Sequence, residues 1–208
     1  MPMTLYHYYR SSCSWRVRWG FAFKKQELNL IPLSLPDHEQ EDASYLAKNP
    51  SGFVPSLEIG AEYYGESLAI LEWLEETVPE PSFFPRKPEE RLLVRQLSMT
   101  IASGIQPLQN LAVQRFVARE QPERLSWARH WIRRGFSSYE TLIMKKSGEY
   151  SFRDQLTLAD LCLIPQVYNA RRFGVEMEEF PKISKIFDNC MKRADCISTA
   201  PEQYQPCV

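Results

Sequence analysis

Residues 10–18 read Arg10-Ser-Ser-Cys-Ser-Trp-Arg-Val-Arg18 and follow directly on the short run Leu5-Tyr-His-Tyr-Tyr9. The run reads as a first strand. Ser14–Lys25 reads as a first helix, with small and apolar residues at Cys13, Val17, Gly20 and Phe21. Two readings of the junction compete. In one, the serines are helix N-caps, which serine favours, and the arginines are solvated charges on an exposed face. In the other, the junction activates a sulfur. The first N–H groups of a helix lack internal partners, and the helix dipole places partial positive charge there. An ordinary thiol, with a pKa of about 8.5, is only slightly ionised at neutral pH. Lowering it by about two units takes roughly 2.7 kcal/mol, within reach of a few N–H groups, a hydroxyl and a guanidinium. The thiol is either that of Cys13 or one brought in by a ligand.

Working outward, Leu28–Leu33 reads as a second strand and Ala43–Lys48 as a short helical turn. A third strand, Val54–Ile59, opens with a proline. The turn Gly60-Ala61 leads into Glu62–Tyr64, and Ser67–Thr77 is an amphipathic helix. A strand–helix–strand unit followed by a hairpin and a helix predicts a small mixed sheet with helices on its faces. The segment Pro79–Pro88 carries four prolines in ten residues and stops any helix. The expected division is therefore 1–80 as an α/β domain, 81–87 as a linker and 88–208 as an all-α domain. In the second half Leu93, Leu97, Ile101, Ile105 and Leu108 form one helical stripe, with Leu125, Ala128, Ile132, Phe136, Tyr139 and Ile143 a second. Thr157-Leu-Ala-Asp160 has the spacing of a capping box and opens a third helix, apolar nearly all round. A fourth is expected over Pro181–Met191.

The composition narrows the function. The 208 residues carry 25 basic and 26 acidic side chains, a formal net charge of −1, without the basic excess of a nucleic-acid binder. No apolar run approaches the roughly 18 residues of a membrane span, and the N-terminus lacks signal-peptide grammar. Cys13, Cys162, Cys190, Cys196 and Cys207 are scattered, and neither they nor His7, His38 and His130 have metal-ligand spacing. A reduced, cytoplasmic protein without a metal is expected.

Further pieces of the first half suit a peptide ligand. Val54-Pro55 is an extended dipeptide, and a cis bond there would expose the Val54 backbone for strand-like pairing. Glu66-Ser67 begins a helix whose free N–H groups and serine hydroxyl suit a carboxylate, while Glu66 suits an amine. Carboxylate, amine and thiol together describe glutathione.

The chain resembles zeta-class glutathione transferases, the family that includes maleylacetoacetate isomerase. The resemblance rests on SSCSWRVR at 11–18, Asn49-Pro50, Val54-Pro-Ser-Leu57, Glu66-Ser-Leu-Ala-Ile70 and Leu74-Glu-Glu-Thr77. In the second half it rests on Gly104-Ile-Gln-Pro-Leu-Gln-Asn-Leu111, Leu158-Ala-Asp-Leu-Cys-Leu163, Pro165-Gln-Val and Asn169-Ala-Arg-Arg-Phe173. It implies a thioredoxin-like N-terminal domain with a mixed four-stranded sheet, an all-α C-terminal domain and a homodimer, for which Phe53 and Tyr64 near the presumed sheet edge are hints. By this resemblance Ser12 is the thiolate-stabilising hydroxyl, Cys13 its modulator, and Ser11 with Trp15 and Arg16 completes the loop. Gln40, Val54 and Pro55 contact the glutathione backbone, Glu66 and Ser67 its γ-glutamyl end, and Gln106 and Asn110 reach in from the helical domain. Arg10 and Arg172 line the acceptor side. Glu66 stands where isomerases of this class often carry Gln, and Arg171 doubles the expected single arginine.

The activity this implies is glutathione-dependent cis–trans isomerisation of a maleyl-type diketo acid, in tyrosine and phenylalanine breakdown. A thiolate adds to the conjugated double bond, the resulting single bond rotates, and the sulfur leaves. Competing readings are a conjugating transferase or α-haloacid converter on the same site, a non-catalytic binding protein, and monothiol exchange at Cys13, where Arg16 replaces the second cysteine of a CxxC. Simpler roles stand beside several site residues. Gln106 and Asn110 flank an expected helix kink at Pro107, Trp15 and Trp19 suit a core, and His7 reads as packed or surface.

Overall fold

The computed structural model describes residues 2–206, so Cys207 lies outside the described residues. Backbone contacts divide the chain into two units, Met1–Ser82 with Arg193–Val208, and Phe83–Lys192. The expected helical domain of 88–208 therefore differs at its end, because the tail groups with the first unit.

The first unit is built on a four-stranded sheet in the order β2-β1-β3-β4. The strands are β1 (Met3–His7), β2 (Asn29–Pro32), β3 (Ser56–Ile59) and β4 (Glu62–Tyr64). β1 runs parallel to β2 and antiparallel to β3, and β3 and β4 form the expected hairpin around Gly60, whose φ of +65° a glycine adopts without a Cβ penalty. The helices are α1 (Ser12–Phe23), the single turn α2 (Ala43–Leu46) and α3 (Ser67–Thr77). Leu5 and Leu57 from the sheet, Trp15, Val17, Trp19 and Phe21 from α1, and Ile70, Leu71 and Leu74 from α3 are all essentially buried. Burial of side chains this large is worth roughly 1.5–3 kcal/mol each, which makes α1 and α3 the anchors of the core.

α1 also gathers the tail. Trp15 Nε1 donates to Thr199 Oγ1 at 3.3 Å and Trp19 Nε1 to Asp195 Oδ1 at 3.3 Å. Arg18 donates to the Thr199 carbonyl from Nε at 3.2 Å and Nη2 at 3.1 Å, to the Tyr9 carbonyl at 3.2 Å, and to His7 Nδ1 at 3.0 Å. The Tyr204 ring covers the same guanidinium, its centroid 4.6 Å from Cζ. The solvated-charge reading of Arg16 and Arg18 is thus corrected: they are 1 % and 2 % exposed. His7 is the packed residue, and burial beside Arg18 pushes its imidazole down to about 3.

The second unit is helical, with α4 (Pro88–Ala102), α5 (Leu111–Val117), α6 (Gln121–Ile143), α7 (Leu158–Arg172) and α8 (Pro181–Cys190). Most of each expected stripe lies in its core: Leu97, Ile101 and Ile105, and Ala128, Ile132, Phe136, Tyr139 and Ile143, are all buried, while Leu93, Leu108 and Leu125 are half-buried. α7 is buried nearly all round, as its sequence predicts, and packs against α4 and α8. Its capping box forms: Asp160 Oδ2 accepts from the Thr157 N–H at 2.8 Å and from Thr157 Oγ1 at 3.1 Å, while Oδ1 accepts from the Ser151 N–H at 2.8 Å.

One expectation is corrected here. α4 stops at Ala102 and gives way to successive turns over 103–109, rather than running through a kink at Pro107. The N–H groups of Gly104 and Gln106 reach back five residues, to Met99 and Ile101, and Pro107 has no N–H with which to resume the ladder. The short helix α5 has too little apolar periodicity to announce itself.

Candidate active site

The junction quoted at the outset is a tight turn into α1. The Ser11 N–H bonds the Tyr8 carbonyl at 3.0 Å, and Ser11 Oγ accepts from the Ser14 N–H at 3.2 Å. Ser11 is therefore the N-cap, and α1 starts at Ser12, two residues earlier than the apolar pattern suggested. The Ser11 Oγ serves the cap as an acceptor. Ser12 and Cys13 occupy the first helical turn, where the helix dipole concentrates positive potential. Ser12 is 8 % exposed and Cys13 half-buried.

Trp15 and Arg16 point elsewhere. Trp15 is 1 % exposed and bonded to Thr199, so its indole is core and offers no ligand surface. Arg16 runs under the site: its Nη1 donates to Ser67 Oγ at 3.3 Å, joining α1 to the first turn of α3. Among the described residues its Nε and Nη2 have no hydrogen-bond partner, although both are buried.

The loop before β3 is held by Asn49. Its Nδ2 donates to the Phe53 carbonyl at 2.8 Å, which also receives the Tyr45 hydroxyl at 2.6 Å, and its Oδ1 accepts from Ser51 Oγ at 2.9 Å. The Val54-Pro55 bond is cis, as the sequence reading anticipated. The strand itself begins only at Ser56, and among the described residues the Val54 backbone enters no backbone hydrogen bond. Gln40 is brought to this loop: a Cβ on Gly52 would lie 3.4 Å from the Gln40 carbonyl. The Gln40 Nε2 donates to Glu41, and among the described residues its buried Oε1 has no hydrogen-bond partner.

Asn49 also lies against Gly65, where a Cβ would be 3.5 Å from its Oδ1. The next residue, Glu66, is an exposed N-cap at φ 60° and ψ 103°, a conformation that costs a non-glycine residue roughly 1–3 kcal/mol and persists only where its surroundings impose it. Buried Ser67 follows as the first residue of α3. The structure thus brings together Arg16, Ser67 and Glu66 at one helix start, and Gln40, Asn49 and Val54 at one loop. Arg10 is half-buried, with its guanidinium 5.1 Å from the Tyr9 ring centroid.

In the second unit Gln106 is buried within the turn that follows α4. Asn110 is the N-cap of α5, its Oδ1 accepting from the Ala112 N–H at 2.9 Å, so its local role is to cap rather than to satisfy a kink. Arg171 stacks over Phe187, its Cζ 4.1 Å from the ring centroid, whereas Arg172 lies farther from a ring, 5.8 Å from the Tyr168 centroid, and makes a long 3.5 Å contact with Asn169 Oδ1. Arg172 is thus the less committed of the pair.

Residues 5–82 match the family model for the glutathione S-transferase N-terminal domain. The chain is 44 % identical over 184 residues to the maleylacetoacetate isomerase of Rattus norvegicus, covering 88 % of this chain and 84 % of that one. The chain belongs to the maleylacetoacetate isomerase family of glutathione transferases. A structure of a bacterial maleylpyruvate isomerase, described as a zeta-class glutathione transferase, matches this member of the family with a TM-score of 0.93 at 34 % identity, covering 98 % of both chains. The maleylacetoacetate isomerase of Anaeromyxobacter dehalogenans, whose structure holds glutathione in its active site, matches with a TM-score of 0.89 at 39 % identity, covering 99 % of this chain and 97 % of that one.

Within this maleylacetoacetate isomerase family member, sequence reasoning missed the work of Asn49 and Tyr45, which shape the Val54 loop. The Asn-Pro-Ser-Gly sequence at 49–52 was the available signal, since asparagine readily bonds the backbone two residues on. Nothing local foretold the strained Glu66. No helix among the described residues is long and apolar enough to cross a membrane, and no group of metal-ligating side chains gathers among them.

Proposed function

We propose that this chain is a glutathione-dependent cis–trans isomerase of maleylacetoacetate-type acids, acting in the cytoplasm as a homodimer. The observation that carries the reading is the first turn of α1, where Ser12 and Cys13 stand at an electropositive helix start capped by Ser11. The residues also fit a tripeptide. Val54 offers a backbone that enters no backbone hydrogen bond among the described residues, α3 offers N–H groups without helical partners and Ser67 for a carboxylate, and Glu66 offers an acceptor for an amine.

Bound glutathione would supply the sulfur that adds to the double bond, allows rotation and departs. Ser12 donates its hydroxyl to that sulfur, and the N–H groups of the first turn share its charge. Together they need to supply only about 2.7 kcal/mol for a thiol pKa lowered by roughly two units. Cys13 adjusts the polarity beside the sulfur. Gln40, Val54 and Pro55 hold the peptide backbone, Gln106 and Asn110 add polar contacts, and Arg10 and Arg172 receive the carboxylates of the acceptor, for which a planar guanidinium suits better than an ammonium. The segment 81–87 separates the thiol-binding part from the acceptor-binding part. Phe53 and Tyr64, 54 % and 51 % exposed, are the apolar surfaces we assign to subunit contact.

A conjugating or α-haloacid-converting transferase is the second reading, favoured by the carboxylate of Glu66 in place of an amide. One assay separates the two. With maleylacetone and glutathione, isomerisation leaves the total thiol constant; consumption of thiol with chloronitrobenzene or release of chloride from dichloroacetate, and none of the isomerisation, contradicts the first reading.

A further inference from the structure

We propose that Arg16 is a positioning residue that makes the first turn of α3 selective for a carboxylate over a neutral group of the same shape. This rests on the functional reading above, in which that turn receives the γ-glutamyl carboxylate of glutathione. The guanidinium is 1 % exposed, no acidic side chain pairs with it among the described residues, and two of its three nitrogens make no hydrogen bond. The third, Nη1, donates to Ser67 Oγ.

Guanidinium is donor-only. Ser67 Oγ must therefore spend a lone pair on Arg16, and its own O–H is directed away, as a donor. Ser67 is also the first residue of α3, where backbone N–H groups lack helical partners. Hydroxyl, N–H groups and the charge behind them all ask for an acceptor, and the buried cation lacks an anion. A carboxylate answers both demands. A carboxamide brings N–H donors and no charge, so it answers neither in full. Arg16 touches no ligand in this account and acts through the hydroxyl and the field at α3.

The test is a ligand pair: glutathione, and its analogue with the γ-glutamyl α-carboxylate replaced by a carboxamide. Calorimetric Kd values are measured for the full chain and for Arg16→Gln and Arg16→Lys. The unaltered protein is expected to prefer the carboxylate by about tenfold or more, the usual size of a charge-assisted hydrogen bond. In Arg16→Gln the preference falls below about threefold while the amide's Kd barely moves, and Arg16→Lys restores most of it. A residue that merely fills space would weaken both ligands alike, and an unchanged ratio in Arg16→Gln overturns the proposal. Should the variants fail to fold, the Arg16 Nε–H resonance of the unaltered protein, assigned through bonds, decides: it shifts with glutathione and much less with the amide, and equal shifts overturn the proposal. An unaltered protein that binds neither ligand at millimolar concentration overturns the functional reading itself.

Discussion

Arg16 reaches Ser67 across the first unit, Nη1 to Oγ at 3.3 Å, and so fixes the start of α1 beside the start of α3. The N-terminal ends of two helices distant in sequence are thereby tied together. Ser67→Ala is expected to raise the KM for glutathione about tenfold while kcat at saturation changes less than about threefold, since the contact is made equally in ground and transition states. Steady-state kinetics with glutathione as the varied component check this.

Ser11 and Ser12 are neighbours with different duties. Ser11→Ala removes the cap on Ser14 and is expected to cost about 1 kcal/mol of stability, read as a lower urea midpoint at unchanged slope. Ser12→Ala should instead act chiefly on turnover, lowering kcat far more than its effect on the urea midpoint accounts for, which kinetics and urea unfolding together check.

Acid should loosen the first unit through His7. Its pKa is about 3 in the folded chain against an ordinary 6.5, so between these values the unfolded chain binds a proton that the folded chain refuses. The resulting stability is fully present above about pH 6.5 and is lost progressively as the pH falls toward 3, up to roughly 5 kcal/mol in all. Arg18 opposes the protonation, and Tyr204 packs on the imidazole edge at 5.7 Å. Urea unfolding at several pH values should show this slope, and His7→Gln, which still offers Arg18 an acceptor, should flatten it.

Asp160 holds three hydrogen bonds at the buried start of α7. Asp160→Ala leaves the N–H groups of Ser151 and Thr157 without acceptors and is expected to destabilise the chain by about 2–4 kcal/mol. Thermal unfolding measures it directly.

Much of this was legible in the sequence because local rules and tertiary packing agree there. Glu62–Tyr64 begins where the Gly60-Ala61 turn ends, Ser67–Thr77 stops where its apolar period stops, and the Thr157/Asp160 spacing declares its cap. The start of α1 was misplaced because periodicity sees apolar residues, whereas the helix begins where Ser11 can cap it. Arg16 and Arg18 read as surface charges because burial depends on residues far along the chain, Ser67 for one and Thr199 for the other. The same distance hid the tail's allegiance to the first unit. Of the candidate site, the chemistry of Ser12, Cys13 and Ser67 was readable, whereas the Asn49 brace and the strained backbone of Glu66 needed the fold.

The central claim is that the first turn of α1 lowers the pKa of a ligand's sulfur, and titrating the thiolate absorbance of protein-bound glutathione tests it most directly. The account predicts a bound thiol about two units more acidic than the ordinary value near 8.5, with Ser12→Ala reversing at least about one unit and Ser11→Ala much less. A bound thiol that titrates like free glutathione, or one indifferent to Ser12, would contradict it.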